Sequence, residues 1–313
     1  MIKDHAKLWL GAIVYPLQTR RWRCYVKGNP VLSHLARQHP KILHKIYRPY
    51  LDARLSCANR VDMLIAHYDW MFQAGLAEWV AQAATTPVPV AEFAGKNGAC
   101  FTLHLTAISD GHREGELMLK LLHERNCVYS SSFVLVNSHS TPSIAIGSLQ
   151  GLRALDGAQV IKSVTRELHG CRPKKLMAAA VRTVGECLGC TNMLLISNRN
   201  LVTVNGRRAS RISSNYDATW QEMGALRGQD GNFHLQCNAV QDNVTAVASN
   251  KRAEARRRNA LLASVSDSIR AGMARQMGWT PAPAAVRTAA TLPQVSGKDA
   301  PSSNDPRIDL LIG

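Results

Sequence analysis

Aromatic residues make up only 6% of the 313 residues, too few to supply a chain-wide stacking surface for single-stranded nucleic acid. Acidic residues are scarce beside basic ones, 22 Asp and Glu against 38 Lys and Arg. No run of 18 apolar residues occurs, which excludes a spanning helix by length. The spaced catalytic signatures are missing as well: there is no Gly-x-Ser-x-Gly, no His-Glu-x-x-His and no Walker loop. The eight cysteines are scattered rather than framed, as expected of reduced thiols. Cys187 and Cys190 form a lone Cys-x-x-Cys at a helix end. Zinc there would need two further ligands and redox chemistry a helix start, so no metal centre is expected. The short apolar stretch from Leu8 to Val14 lacks the small-residue cleavage pattern of a signal peptide, which predicts a cytoplasmic chain.

What is present is enough hydrophobic residue, 46%, for a sizeable core, and a positive surplus that is unevenly placed. The formal net charge is +16. Residues 1–60 hold twelve Lys and Arg against two Asp and Glu, whereas residues 61–150 hold four against eight. The ratio returns to twelve against six over 151–240 and ten against six over 241–313. A concentrated surplus of this kind points to an anionic partner: a phosphorylated cofactor, a phospholipid, a lipopolysaccharide-related group or a nucleic acid.

Apolar periodicity divides the chain. From Asn29-Pro30 to about Gln82 the spacing is helical, broken by Pro40 and Pro49, with Val61, Leu64, Ile65, Tyr68, Met71 and Phe72 marking a longer amphipathic helix. Thr85 to Pro89 reads as a linker. Period-two alternation follows at Phe101-Leu103-Leu105, at Glu116 to Leu119, over Val128 to Val136 and over Ser143 to Leu149, a meander of antiparallel strands. Helix and strand then alternate: helices at Asp156 to His169 and Pro173 to Leu188, a buried strand at Asn192 to Ser197, a short helix at Tyr216 to Met223 and a strand at Asn232 to Leu235. Pro173 stands at the favoured first helical position and Gly189 at the terminating one. Lys251 to Met273 predicts a basic helix, and from Thr280 onward Pro, Ala, Ser and Thr without periodicity predict disorder.

Several strings occur in a fixed order. They are Arg48-Pro49-Tyr50-Leu51, His67-Tyr68, Glu114-Gly115-Glu116-Leu117, Ile146-Gly147-Ser148-Leu149-Gln150-Gly151 and His169-Gly170-Cys171-Arg172-Pro173-Lys174. Tyr216-Asp217 with Trp220, then Lys251-Arg252 and Arg256-Arg257-Arg258, complete the series. The series resembles the VirK/YbjX family of Gram-negative bacteria over residues 30–272. Cys171 stands where that family usually has an apolar residue, and Leu152 where Pro commonly follows Leu-Gln-Gly. The resemblance implies a part in virulence, surface-protein localisation and tolerance of cationic antimicrobial peptides, with no established reaction.

The order of elements from the meander through helix 173–188 to strand 192–197 also resembles the core of GCN5-related N-acetyltransferases. That resemblance implies an acyl-CoA cofactor whose pyrophosphate meets the backbone N–H groups at the start of the central helix. Here the corresponding stretch, Gly170 to Lys175, lacks the glycine pattern, and Pro173 removes one donor. Arg172, Lys174 and Lys175 crowd the positive end of the helix dipole, a placement that costs roughly 0.3–1 kcal/mol each unless an anion binds. The stretch is therefore either an anion site or a solvated basic loop. The acid that such enzymes carry on the last helix falls at Trp220, leaving Tyr216 one turn earlier as the substitute. Tyr216 is otherwise half of an aromatic pair with Trp220. Asp217 is a base or a helix-terminus residue, and His169 a base, an anion contact or a C-terminal charge partner. Gln150 and Gly151 present backbone to a ligand or form a tight turn. Glu114 and Glu116, flanking Gly115 at a hairpin, are a carboxylate pair for acid/base work or strand-edge carboxylates in water. His34, Arg37, Lys41, His44, Lys45 and Arg48 stud the N-terminal helices, for anionic lipid, nucleic acid or solvent alone.

The chain is thus expected to be α+β. A helical part at 1–84 leads to an acetyltransferase-like core with an antiparallel or mixed sheet at 90–240, followed by a basic helical extension at 241–279 and a disordered tail at 280–313. The expected function is that of a VirK/YbjX-like accessory factor acting through an anionic ligand and touching the inner membrane peripherally. The alternatives are an acyltransferase using acyl-CoA or another acyl donor, and nucleic-acid binding.

Overall fold

Three prolines in near-regular succession open three helical segments. Pro16, Pro30 and Pro40 each sit in the first turn, where the missing N–H costs nothing, of α1 (Pro16–Gly28), α2 (Pro30–Gln38) and a 3-10 helix (Pro40–Tyr47). The computed structural model describes residues 10–107, 113–138, 140–152, 156–202, 215–238 and 249–278. Asn29 caps α2 by accepting from Leu32 N at 3.1 Å, and Ser56 caps α3 (Cys57–Gln73) by accepting from Asn59 N at 3.1 Å. The apolar stripes face inward: Trp22, Leu32, Leu35, Ile42, Ile46, Leu64 and Tyr68 are buried in one continuous core.

The period-two segments form the expected meander, with one strand more than alternation alone indicated. In place of a linker over Thr85 to Pro89, α4 runs Ala77–Thr85 and β1 starts at Val88 and continues to Ala94. Val88, Val90, Ala91 and Phe93 are buried, and β1 is an edge strand of the sheet, where its one proline, Pro89, is tolerated. It is followed by β2 (Cys100–Ala107), β3 (Leu117–His123), β4 (Asn126–Ser138) and β5 (Thr141–Gly151). Each is antiparallel to its predecessor. After α5 (Gly157–Glu167) and α6 (Pro173–Cys187), β6 (Asn192–Leu195) joins β5 in parallel. Then come α7 (Tyr216–Glu222), the two-residue β7 (Leu226–Arg227) and β8 (Phe233–Gln236), which pairs antiparallel with both β6 and β7. Among the described residues the sheet has eight strands in the order β1-β2-β3-β4-β5-β6-β8-β7. The fold is mixed α+β, as its sequence predicts.

The C-terminal helix α8 (Arg252–Met277) lies on the sheet, with Val265, Ile269 and Met273 buried. Gly272 comes so close to β1 that a Cβ there would stand 2.0 Å from the Val90 carbonyl oxygen. The tail expected to be disordered, 280–313, and the start of the extension, 241–248, lie outside the described residues. No described helix is long and apolar enough to cross a membrane.

Two features of β5 shape the middle of the sheet. Opposite Ser132 and Phe133 the register slips, leaving Gly147 as an extra residue in a bulge. The backbone of Glu114 crosses it, and a Cβ on Gly147 would stand 2.0 Å from the Glu114 carbonyl oxygen. Just past the bulge, β5 and β6 part: their last parallel pair is Ile146 with Leu195, extended by Ile196 N donating to Ile146 O at 3.2 Å.

Candidate anion-binding site

Helix α6 begins where the chain reverses after α5. His169 and Gly170 both adopt left-handed backbone, φ 52° and 75°, and Gly170 N donates to Thr165 O at 2.9 Å. The reversal drives Cys171 into the core and turns Arg172 out to solvent as the residue preceding the helix. Arg172 has extended backbone and no capping side chain, and Pro173 follows. The first turn therefore lacks a side-chain cap from Arg172 and carries cations where the dipole favours anions.

At this helix start lies a cavity of about 340 Å³. Arg172, Lys174 and Lys175 line it from α6; Thr219, Glu222 and Met223 from α7 and its end; and Arg258 from α8. Among the lining residues four cations thus face one carboxylate, Glu222, and the Glu254 carboxylate lies beside them against Gly170. Glu222 is shared, 3.4 Å from Arg172 and 3.6 Å from Lys174, and Lys174 Nζ also donates to Thr219 Oγ1 at 3.0 Å. Glu222 is exposed, so it holds these cations only weakly against solvent. A ligand oxyanion entering the cavity would meet two or three charge-assisted donors at once.

The structure brings Arg172, Lys174 and Lys175 together and sets the other candidates elsewhere. Tyr216 is buried, and its hydroxyl accepts from Leu149 N at 3.1 Å and donates to Leu149 O at 2.8 Å. Trp220 Nε1 donates to Ile196 O at 2.9 Å. The two rings, 5.9 Å apart, fill the gap where β5 and β6 part and take over the strand-edge hydrogen bonds there. Asp217 accepts from Asn198 N at 2.7 Å and pairs with Arg227. Gln150 and Gly151 remain in register with Ser130 and Tyr129 on β4. None of these five, nor His169, lines the cavity.

Arg258 reaches the cavity from a basic segment that the sequence sets apart from the start of α6. It lies three residues from both Ala255 and Leu261, which are buried, and that helical phase is the one sequence signal that it turns inward. Its nearness to Lys175, 83 positions away, has no such signal. Cys187 and Cys190 are free helix-end thiols that burial pushes up to about 11 and about 12.

Two charges expected in water lie in the core instead. Glu116 is not a strand-edge carboxylate and Lys45 is not a surface stud: their side chains are 1% and 9% exposed and pair at 2.6 Å. Glu116 also accepts from the Tyr68 hydroxyl. Burial would raise its carboxyl, but Lys45 beside it, aided by the other polar neighbours, holds it below its ordinary value. His67 adjoins the pair, its Nδ1 accepting from Leu135 N at 3.2 Å. Among the described residues its Nε2 has no hydrogen-bond partner. Burial pushes His67 down to about 4 despite the nearby Glu116 carboxylate. Tyr50, buried in the same place, has its phenol pushed well up by burial and by Glu116. Three of the ordered strings, around Tyr50, His67-Tyr68 and Glu116, therefore meet in one buried cluster that holds the N-terminal helices to the sheet.

The model for the family described as "Protein of unknown function (DUF535)" matches residues 1–271. The chain is 27% identical over 268 residues to "Uncharacterized protein YbjX" of Escherichia coli (strain K12), covering 84% of this chain and 81% of that one. It is 22% identical over 253 residues to an uncharacterized protein of Haemophilus influenzae, covering 80% and 82%. Among solved structures, a mutant of the cAMP-binding acyltransferase from Mycobacterium smegmatis aligns with a TM-score of 0.31 and 10% identity, over 70% of this chain and 61% of that one. An overlap that shallow supports no functional assignment.

Proposed function

The chain belongs to the DUF535 family, and from that premise and the geometry of the cavity we propose that it binds a phosphate-bearing ligand and acts as an accessory factor of the cell envelope. The observation that carries this reading is the convergence of Arg172, Lys174 and Lys175 with Arg258 on one cavity at the start of α6. Like charges gathered at the wrong end of a helix dipole favour an anion there. The VirK/YbjX resemblance supports an envelope source, a phospholipid headgroup or a lipopolysaccharide-related phosphate. The net charge of +16 opposes direct capture of cationic peptides. Resistance to such peptides, and the associated virulence, would then run through the anionic components of the envelope.

Acyl transfer from CoA is supported less well. The substitute acid, Tyr216, spends its hydroxyl on the N–H and C=O of Leu149, and the start of α6 lacks the glycine pattern that would hold the pyrophosphate.

Thermal denaturation against glycerol phosphate, a lipid A phosphate analogue, pyrophosphate and acyl-CoA tests the reading. A ligand at about a hundred times its Kd stabilises by about 2.7 kcal/mol, and Lys174→Glu should remove the shift. Stabilisation by none of the four, or an equal shift in Lys174→Glu, would sink the proposal. A shift confined to acyl-CoA would move the assignment to acyl transfer.

A further inference from the structure

Four large apolar side chains near the N-terminus stand in water: Leu10 is 65% exposed, Ile13 71%, Val14 57% and Leu17 75%. They are held there by packing behind them. Residues 10–14 form a helical turn, and a Cβ on Gly11 would come within 2.7 Å of the Tyr47 ring. The Tyr47 hydroxyl lies 2.8 Å from Thr19 Oγ1, and Thr19 N donates to Tyr15 O at 2.9 Å. The turn and α1 are therefore seated on the 3-10 helix through Gly11 and Thr19, with Trp22 and Val26 buried beneath. The four apolar side chains are what remains on the opposite, outward face.

Beyond Leu17 the same face turns basic. Arg20 and Arg21 follow Leu17 at three and four residues, on its own side of the helix, and Arg23 and Lys27 are exposed further on. Arg21 is partly balanced by Asp62. A second copy of this chain packed face to face would set these cations against their own counterparts, a repulsion that disfavours self-association. A surface of anionic headgroups over an acyl layer complements both halves of the face.

We propose that the turn at 10–14 and the first half of α1 form a docking element for an anionic lipid bilayer. Leu10, Ile13, Val14 and Leu17 enter the acyl boundary, and Arg20 and Lys27 extend to the headgroup phosphates. Long basic side chains can lie along apolar surface and keep their charged ends at the interface. The docking element is independent of the cavity, since it lies on a different helix and uses different residues.

The test is co-sedimentation of the full chain with phosphatidylcholine vesicles, with and without phosphatidylglycerol. The expected result is binding only where phosphatidylglycerol is present, reversed by high salt. The double substitution Ile13→Asn and Leu17→Asn should weaken binding by about ten-fold or more, as should Arg20→Glu. These side chains are exposed, so the melting temperature should match the parent's. Lys174→Glu, in the cavity, should weaken sedimentation far less than the asparagine double variant does. Equal binding to both vesicle types, no binding to either, or full binding by the asparagine double variant overturns the proposal. So does a parent dimer in solution that the double variant dissociates, which would make the face a self-interface. Vesicle binding lost in Lys174→Glu but kept in the double variant would assign lipid capture to the cavity and overturn the docking element alone.

Discussion

Among single residues, the ion pair of Lys45 and Glu116 carries the largest stakes. Both side chains are all but inaccessible and 2.6 Å apart, so either one alone would be an uncompensated charge in the core. Lys45→Met should cost about 3–5 kcal/mol in urea unfolding, while Lys45→Met combined with Glu116→Leu should recover much of the loss. A double variant as unstable as the single would show that the loss does not come from the Glu116 charge left unpaired. His67 beside it gives a pH signature with a definite sign. Its folded value lies near 4, below the roughly 6.5 of an unfolded histidine. Between those values the unfolded chain binds a proton that the folded chain refuses. Stability therefore falls as pH drops from about 6.5 to about 4, by about 3 kcal/mol in all. His67→Gln should flatten that part of the curve, and an unchanged slope would assign it to other groups. Glu116 acts lower on the scale. Its contribution is complete above about pH 4.3 and is lost as pH falls through its depressed folded value.

Between β5 and β6, α7 plugs the opening that the parting of the two strands creates. Tyr216 occupies both the N–H and the C=O of Leu149 with one hydroxyl. Tyr216→Phe would leave those buried backbone groups unpaired, at a cost of about 1–3 kcal/mol. A catalytic tyrosine would behave differently, losing activity with little loss of stability, so the melting temperature of Tyr216→Phe separates the two roles. The elements themselves were legible where period and punctuation agreed. Pro173 with the apolar stripe of α6 marked that helix to within a residue at each end, and the alternation over β4 and β5 marked the meander. β1 was obscured because Pro87 and Pro89 read as breakers, although a strand at a sheet edge can do without some of its N–H donors. The bulge at Gly147 and the buried role of Glu116 were invisible for another reason. Each depends on a partner distant in sequence, the Glu114 backbone for one and Lys45 for the other, and periodicity carries no information about such meetings.

Across the molecule, the surplus of positive charge resolves into places with different physical meanings. Lys45 is spent inside the core, α1 carries a basic face beside exposed apolar residues, and the starts of α6 and α8 meet at the cavity. Of the candidate site, the cations at 172–175 were readable because a helix start has a sign. Arg258 was readable only as a charge, since no local rule brings two helix starts together. A site kept for an anion should also be one where the empty protein is less stable than it need be. Arg172 offers the direct test, because it occupies the capping position of α6 with extended backbone and no capping bond. Arg172→Asp would supply the missing acceptor and put a negative charge at the positive end of the dipole. The ligand-free protein should gain about 1 kcal/mol, less the weak, exposed pairing of Arg172 with Glu222 that the change removes. The same change subtracts a cation from the cavity and adds an anion, so the stabilisation by a phosphate-bearing ligand should shrink or vanish. Denaturation with and without ligand reads both effects in one experiment. Opposite signs are expected if the charge is kept for binding, whereas a loss of stability in the ligand-free variant would mean that Arg172 serves the fold.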